Sequence, residues 1–375
     1  MDTACAATVS ARAALHVISP LGWIADAFAE PFSAMQRTAT ISSGASSSAV
    51  SPADGPLSSA SSPMLSSPDC APEHIPRWNI IRHSALEPAQ GIAGNDAVWI
   101  APETLVSLNA WREWQGKAPL AFRAPSPRWP DRLPEALAGR GVLTVSVAQI
   151  RSWVAFPHIL GEQPWAQLSR CRVDGFNAAR RSLSALQIAV GTAPEGSSIM
   201  LSEHIPGINE EWNVFVHHGV AAAASPYCLH TPPDSRTIVT VFDLPVNSLF
   251  SAAPAHFHER YRAVAAHAAE QAAAATGTRD ASMIIALRAE EDSPIVLEIN
   301  PVWCATPYPY DMRGMLSFMD AIAESRVDPS ASRMPAEAAS EQQQESNPIF
   351  KPDPWATARY ADRYLRFRPA TRQVL

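Results

Sequence analysis

Lysine is nearly absent from this chain. Lys117 and Lys351 are the only two in 375 residues, so arginine supplies almost all of the positive charge. A phosphate site lying between those two positions would have to take its cation from a guanidinium, which is not interchangeable with an ammonium. Positive charge is also in deficit overall: 29 basic residues stand against 36 acidic ones, for a formal net charge of −7. That balance removes the electrostatic basis for non-specific nucleic-acid binding. Cysteine is sparse and scattered at Cys5, Cys70, Cys171, Cys228 and Cys304. With no CxxC pair and no His/Cys ligand spacing, neither a disulfide framework nor a zinc motif is indicated, and a reduced, cytoplasmic setting is expected. No apolar run reaches the roughly 18–20 residues that span a bilayer, so no membrane partner is expected. Residues 13–29 are apolar but broken by Pro20 and Gly22 behind a lone Arg12, a poor match to a targeting segment. Glycine-rich phosphate loops of the GxxxxGK[ST] and GxGxxG forms are missing too, which argues against P-loop and Rossmann readings.

What is present divides the chain into five stretches. Residues 1–75 are rich in Ser, Ala and Pro, a composition that does not offset ordering entropy by burial, and are expected to be disordered apart from a short helix near Asp26–Gln36. Residues 76–150 alternate short apolar runs with helical patterns. Ala97–Ala101, Leu120–Phe122 and Gly141–Val145 read as strands, with a helix opening at Pro102-Glu103, so a small α/β unit with a parallel sheet is expected. Residues 151–325 read as an antiparallel-rich α+β unit. Its strands fall near 199–205, 210–216, 220–225, 283–287 and 295–299, with one long alanine-rich helix ending at Gly277. Residues 326–350 form a low-complexity linker, and 351–375 an aromatic and arginine-rich tail.

The most informative stretch is Ile295-Val296-Leu297-Glu298-Ile299-Asn300-Pro301. Residues i and i+2 of a strand share a face, so Glu298 and Asn300 project side by side at the end of an apolar run. Both are hard oxygen donors of the kind Mg²⁺ accepts beside nucleotide phosphates. The bland alternative is a strand ending in two solvated polar residues and a proline stop. Other chemistry-bearing residues carry bland readings of the same kind. His217-His218 sits at a hairpin turn and reads as a surface feature, and His256 and His258 read as structural. Nothing near Cys304 in sequence supplies a base for a nucleophile.

Three segments stand in a suggestive order: SEHIPGINEEWNVFVHHGVAAAASPY (Ser202–Tyr227), the alanine-rich helix, and SPIVLEINPVWCATPYPYD (Ser293–Asp311). Together with WIAPETL and LPEALAGRGVLTV upstream, they resemble the ATP-grasp family, most of all its clade named for an arginine–lysine exchange, over about residues 78–325. The resemblance implies a small pre-ATP-grasp α/β domain followed by an ATP-grasp-like domain with an antiparallel sheet. It implies ATP and Mg²⁺ as cofactors, with a carboxylate attacking ATP to give an acyl-phosphate that an amine or thiol then displaces. The implied partners are a small-molecule or peptide carboxylate and an amine acceptor.

By the same resemblance Glu203, with the backbone of His204 and Ile205, meets the adenine, and Glu211 meets the ribose. Glu298 and Asn300 hold Mg²⁺, and Arg170 or Arg172 contacts phosphate. Three departures run against it. Asn213 stands where the family usually has Arg. The Asp expected on the penultimate strand falls in register on Ile285 or Ala286, leaving Asp280 as the nearest acid and the third metal candidate. No lysine is at hand. An ATP-dependent ligase is therefore the leading expectation, and a relative that binds nucleotide or a partner without catalysis is the alternative.

Overall fold

A computed structural model describes residues 13–29, 78–94, 96–169, 173–230, 238–240, 257–288, 293–308, 310–327 and 347–367. Its first element overturns an expectation. Leu15, Val17 and Ile18 are buried, and their short apolar run forms β1 (Ala14–Ile18). This strand is the middle of a three-stranded parallel sheet, between β2 (Asn79–His83) and β3 (Ala97–Ile100). A following helix, α1 (residues 22–29), buries Ile24, Ala25, Ala27 and Phe28. So residues 14–29 are ordered, against the reading of 1–75 as disordered; most of that stretch lies outside the described residues. A parallel strand gains its hydrogen bonds only from distant partners, and five apolar residues flanked by Ser, Ala and Pro give no local sign of them.

From α2 to β8 the chain builds a second sheet. Helix α2 (Pro102–Trp114) starts with Pro102 in its first turn and Glu103 beside it, and buries Leu105, Leu108 and Trp111. The two-residue strand β4 (Ala121–Phe122) and α3 (Glu135–Ala138) follow. Next come β5 (Val142–Ser146) and α4 (Val147–Ser152), where Ser146 and Gln149 form a capping box. Then β6 (Trp165–Leu168), β7 (Ala179–Arg180), α5 (Leu183–Ala189) and β8 (Ser198–Ser202) complete a four-stranded antiparallel sheet in the order β5-β8-β6-β7. β5 therefore leaves the parallel sheet in which the sequence suggested it, because Val142 to Ser146 pair in antiparallel register with Ser202 to Ser198.

The third sheet is the largest. β9 (Ile208–His217), β10 (Val220–His230) and β11 (Ile238–Thr240) precede α6 (Arg260–Thr276), and β12 (Ala281–Arg288) and β13 (Pro294–Asn300) follow it. The order is β11-β10-β9-β12-β13, antiparallel throughout. Alternation assigns the two faces. Trp212, Val214 and Val216 of β9, with Met283, Ile285 and Leu287 of β12, face α6, whose Ala265, Ala268, Ala269, Ala272 and Ala273 let it lie close. Gly277 in the left-handed region ends the helix. Glu211, Asn213, Phe215 and His217 share the opposite face with Ser282, Ile284 and Ala286.

Helix α7 (Met312–Ser325), capped by the Asp311 side chain on the Gly314 N–H, covers part of that second face and joins it to the parallel sheet. Phe215, Phe318, Met315, Met319 and Trp303 lie in one core with Leu15, Val98 and Ile100. β14 (Arg326–Val327) then pairs with β4. The tail helix α8 (Pro354–Tyr360) docks against α2 and the four-stranded sheet through Ala356 and Tyr360. The architecture is thus the expected mixed one, a small parallel sheet with larger antiparallel sheets. Among the described residues no helix is long and apolar enough to cross a membrane.

Candidate functional site

The site is built on β13. The register with β12 shifts between Ile284↔Glu298 and Ile285↔Val296, so Leu297 is an extra residue, a bulge. The bulge divides the strand. Ile295 pairs with Ala286 on one side of it, while Glu298 and Asn300 pair with Ile284 and Ser282 on the other. Glu298 and Asn300 are in direct contact, the Asn300 amide Nδ2 donating to Glu298 Oε2 at 3.1 Å. Two hard oxygen-bearing side chains therefore stand together on the sheet face opposite α6, as the i, i+2 spacing predicts.

A cation that sequence reasoning missed lies against this strand. Arg140 Nη1 donates to the carbonyls of Ala138 at 3.1 Å and Val296 at 2.9 Å, and Nη2 to that of Leu297 at 3.2 Å. The guanidinium takes two carbonyls at the bulge, where the ladder is interrupted. Burial lowers its pKa to about 10, while the Glu298 carboxylate pulls it back up. The loop that carries Arg140 fits because both neighbours are glycines. A Cβ on Gly141 would stand 2.0 Å from the Ile159 carbonyl oxygen, and one on Gly139, at φ +57°, would meet Ile295 at 2.8 Å. A Gly-Arg-Gly triplet just before a strand was the available signal.

The same loop reaches the residues after β8. Glu203 N donates to the Gly141 carbonyl at 2.8 Å, and Gly141 N donates back to Glu203 Oε2 at 3.3 Å. β8 is an interior strand, so Glu203 does not guard a sheet edge. His204 Nδ1 accepts from Trp165 Nε1 at 3.3 Å, and partial burial, then Arg180, hold its pKa below the usual histidine value. Ile205 turns inward onto Ala286 and Ile295, with Ile208 and Leu297 beside them. Glu203, Arg140 and Glu298 are thus linked in a continuous run of contacts, with a small apolar platform alongside.

Glu211 stands opposite Ala286 on that face, and its Oε1 lies 2.7 Å from His230 Nε2, with Cys228 also within ligand reach. Its neighbour Glu210 is not solvated. It is fully buried on the α6 side, accepting from Trp212 Nε1 at 2.9 Å and from the His258 N–H at 3.1 Å. This gives His258 the structural role expected of it.

Other expected site residues stand apart from this group. Asp280 precedes β12 and is not drawn to Glu298. Its Oδ1 accepts from the His218 N–H at 2.9 Å and lies 2.8 Å from His217 Nδ1. Burial pushes its pKa up, but these bonds outweigh that and hold it below the ordinary value. Asn213 is fully buried between Ser282 Oγ, at 2.7 Å from its Nδ2, and the Tyr310 hydroxyl, which donates to its Oδ1. An arginine would not fit there. Arg170 and Arg172 lie outside the described residues. Ala286, where a second metal-binding acid was sought, is completely buried in the apolar platform.

No family model and no curated protein matches the chain. Solved structures do. The D-alanine–D-alanine ligase from Bacillus anthracis is 9% identical, with a TM-score of 0.42 over 84% of this chain and 97% of that one. The L-amino acid ligase from Bacillus licheniformis is 11% identical, with a TM-score of 0.42 over 85% of this chain and 75% of that one. A RimK domain ATP-grasp protein from Sphaerobacter thermophilus is 12% identical, with a TM-score of 0.39 over 83% and 98%. Likenesses this loose transfer no residue's role.

The site is distinct from a cavity of about 470 Å³ beside the parallel sheet, lined by Arg82, His83, Glu87, Trp111 and Phe367. None of the residues gathered around Glu298 lines it.

Proposed function

We propose that this protein is an ATP-dependent carboxylate ligase of the ATP-grasp type. The observation that carries the reading is the Glu298–Asn300 pair on one face of β13, with the Arg140 guanidinium held against the same strand. The donor set suits Mg²⁺. That ion takes one or two protein oxygens and fills its remaining positions with phosphate oxygens and water, so a carboxylate plus an amide oxygen is sufficient. Glu298 and the Asn300 Oδ1 would hold it. When bound, the ion neutralises and aligns the phosphates for transfer.

The chain's own groups account for the rest. The backbone of His204 and Ile205 would meet the edge of the adenine, with the partly buried Ile208 and Leu297 beside it. Glu211 would accept from the ribose hydroxyls and Arg170 or Arg172 would contact phosphate. Arg140 keeps positive charge beside Glu298 and fixes the bulge from which it projects. A substrate carboxylate oxygen attacks the γ-phosphorus, the bond to the β-phosphate oxygen breaks, and ADP leaves. An amine nitrogen then attacks the acyl carbon and expels phosphate, the amine proton passing to solvent or a base.

The test is ATP binding with and without Mg²⁺, followed by ADP release across a panel of amino acids and short peptides. Glu298→Gln is expected to lose the Mg²⁺-dependent part of ATP affinity, about tenfold or more, which corresponds to ~1.4 kcal/mol. No saturable ATP binding by the intact chain would overturn the proposal. A second reading, nucleotide binding without catalysis, is favoured by Ala286 and by the commitment of Asn213 to Tyr310 and Ser282. It predicts Mg²⁺-dependent ATP binding with no acceptor-dependent ADP release.

A further inference from the structure

At the end of the same sheet where β13 reaches Asn300, the turn between β9 and β10 carries a histidine at an uncommon backbone position. His217 pairs with Val220, so His218 and Gly219 are the two central residues of a tight hairpin, at φ +53° and +83°. Positive φ at both positions is the type I′ geometry, which favours Asn-Gly or Asp-Gly. His218 is the one non-glycine residue with positive φ among those described. Histidine is among the few non-glycine residues enriched in that conformation, so the turn accepts it.

The turn brings two imidazoles to two carboxylates from other elements. His217 Nδ1 is 2.8 Å from Asp280 Oδ1, His218 Nδ1 is 4.0 Å from the same oxygen, and His218 Nε2 is 3.6 Å from Glu324 Oε2. One donor atom from each residue lies within 4.8 Å of all the others. A tetrahedral ion with bonds of ~2.0–2.1 Å needs donors about 3.3–3.5 Å apart and takes only one nitrogen of His218. Through Nε2 that histidine stands 3.6 Å from Glu324, close to this spacing, while His217 and Asp280 stand 2.8 Å apart. The side chains are graded in access: His217 and Asp280 are 14% and 19% exposed, His218 and Glu324 47% and 49%. An ion could enter from the open side and be held from the closed one.

Acidic groups of α7 border the cluster on one side. Glu324 lies in the last turn of α7, where the helix dipole disfavours a carboxylate. Asp320 lies one turn earlier on the same face of α7. Arg279 holds a guanidinium on the other side, its Nη2 2.6 Å from His218 Nδ1, which leaves Nε2, facing Glu324, as the nitrogen to ligate an ion.

We propose that His217, His218, Asp280 and Glu324 bind a divalent first-row transition ion of the zinc class. Two imidazoles with two carboxylates select such an ion over Mg²⁺, which prefers oxygen alone. The ion would fasten the β9–β10 turn to α7, and through α7 to the parallel sheet. The proposal is independent of the ligase reading, since it needs neither ATP nor Glu298.

The full chain, stripped of metal by a chelator, is titrated with Zn²⁺ by calorimetry and with Co²⁺ by visible absorption. One saturable equivalent and an intense Co²⁺ band are expected. His218→Asn substitutes a residue the turn prefers, so it preserves the hairpin while removing a ligand. It and Glu324→Gln are each expected to weaken binding by about tenfold or more. Arg279→Ala is expected to leave binding unchanged or tighten it. Absence of saturable uptake would overturn the proposal. So would uptake that survives both His218→Asn and Glu324→Gln, or that is lost instead in His230→Ala, which would point to Glu211, Cys228 and His230.

Discussion

Single side chains carry much of the load on the sheet face opposite α6. The Tyr310 hydroxyl donates to the fully buried Asn213 amide, which in turn donates to Ser282. Tyr310→Phe leaves the Asn213 oxygen without its donor, and a buried unsatisfied polar group costs ~1–3 kcal/mol. Urea unfolding of the variant is expected to show a loss of that size. In the parallel sheet, His83 Nε2 lies 2.8 Å from His16 Nδ1, and the other nitrogen of His16 lies 3.0 Å from Asp96 Oδ2. Burial first, and His16 second, hold the His83 pKa below its usual value. The folded state then takes up that proton less readily than the unfolded chain does. The stabilising contribution is complete above the unfolded histidine pKa of ~6.5 and is lost as the pH falls through and below it. His83→Gln is expected to flatten the decline in urea midpoint between about pH 7.5 and pH 5.5. At this scale the sequence was a fair guide where chemistry is local. Glu298 and Asn300 are two residues apart and could be placed on one face from the period alone. Arg140 could not, because the carbonyls it holds belong to a strand more than a hundred residues further on.

At the level of elements, tight backbone approach decides the site's shape. The Gly139-Arg140-Gly141 loop lies so close to Ile159 and Ile295 that it admits no Cβ at either glycine. Gly141→Ala is expected to cost more than ~2 kcal/mol, since the loop has to move off Ile159. Thermal unfolding should register the loss, and ATP affinity should fall with it as Arg140 leaves β13. Apolar periodicity found the strands and helices that carry such loops: α2, α6, β12 and β13 lie within a few residues of where their patterns suggest. It did not find the bulge at Leu297, because an added residue in a buried strand leaves the run of apolar side chains intact. β4 and β5 were legible as strands but not as members of their sheets, since pairing direction depends on distant segments. β1 failed for the same reason.

For the molecule as a whole, the C-terminal segment acts as a clasp. Asp353 is buried and accepts from Ser198 N at 2.9 Å, Tyr360 Oη accepts from Asp174 N at 2.8 Å, and Ser107 Oγ donates to the Tyr360 carbonyl at 2.9 Å. Further on, Tyr364 Oη donates to the Ala85 carbonyl at 2.8 Å. The tail therefore touches both the four-stranded sheet and the parallel sheet. A chain ending at residue 346 uncovers the surfaces buried by Ala356, Tyr360 and Tyr364. It is expected to lose on the order of 3 kcal/mol or more, read as a lower urea midpoint.

The position of β1 also governs the order in which the protein can be made. It ends at Ile18 and leaves the ribosome well before its two neighbours, β2 and β3, which begin at Asn79 and Ala97. The core around it is closed by Trp303, Met315 and Phe318, which emerge later still. This strand therefore waits, unpaired and apolar, until those segments have been made. The lobe closes only after Phe318 has emerged, and until then its apolar strand is open to aggregation.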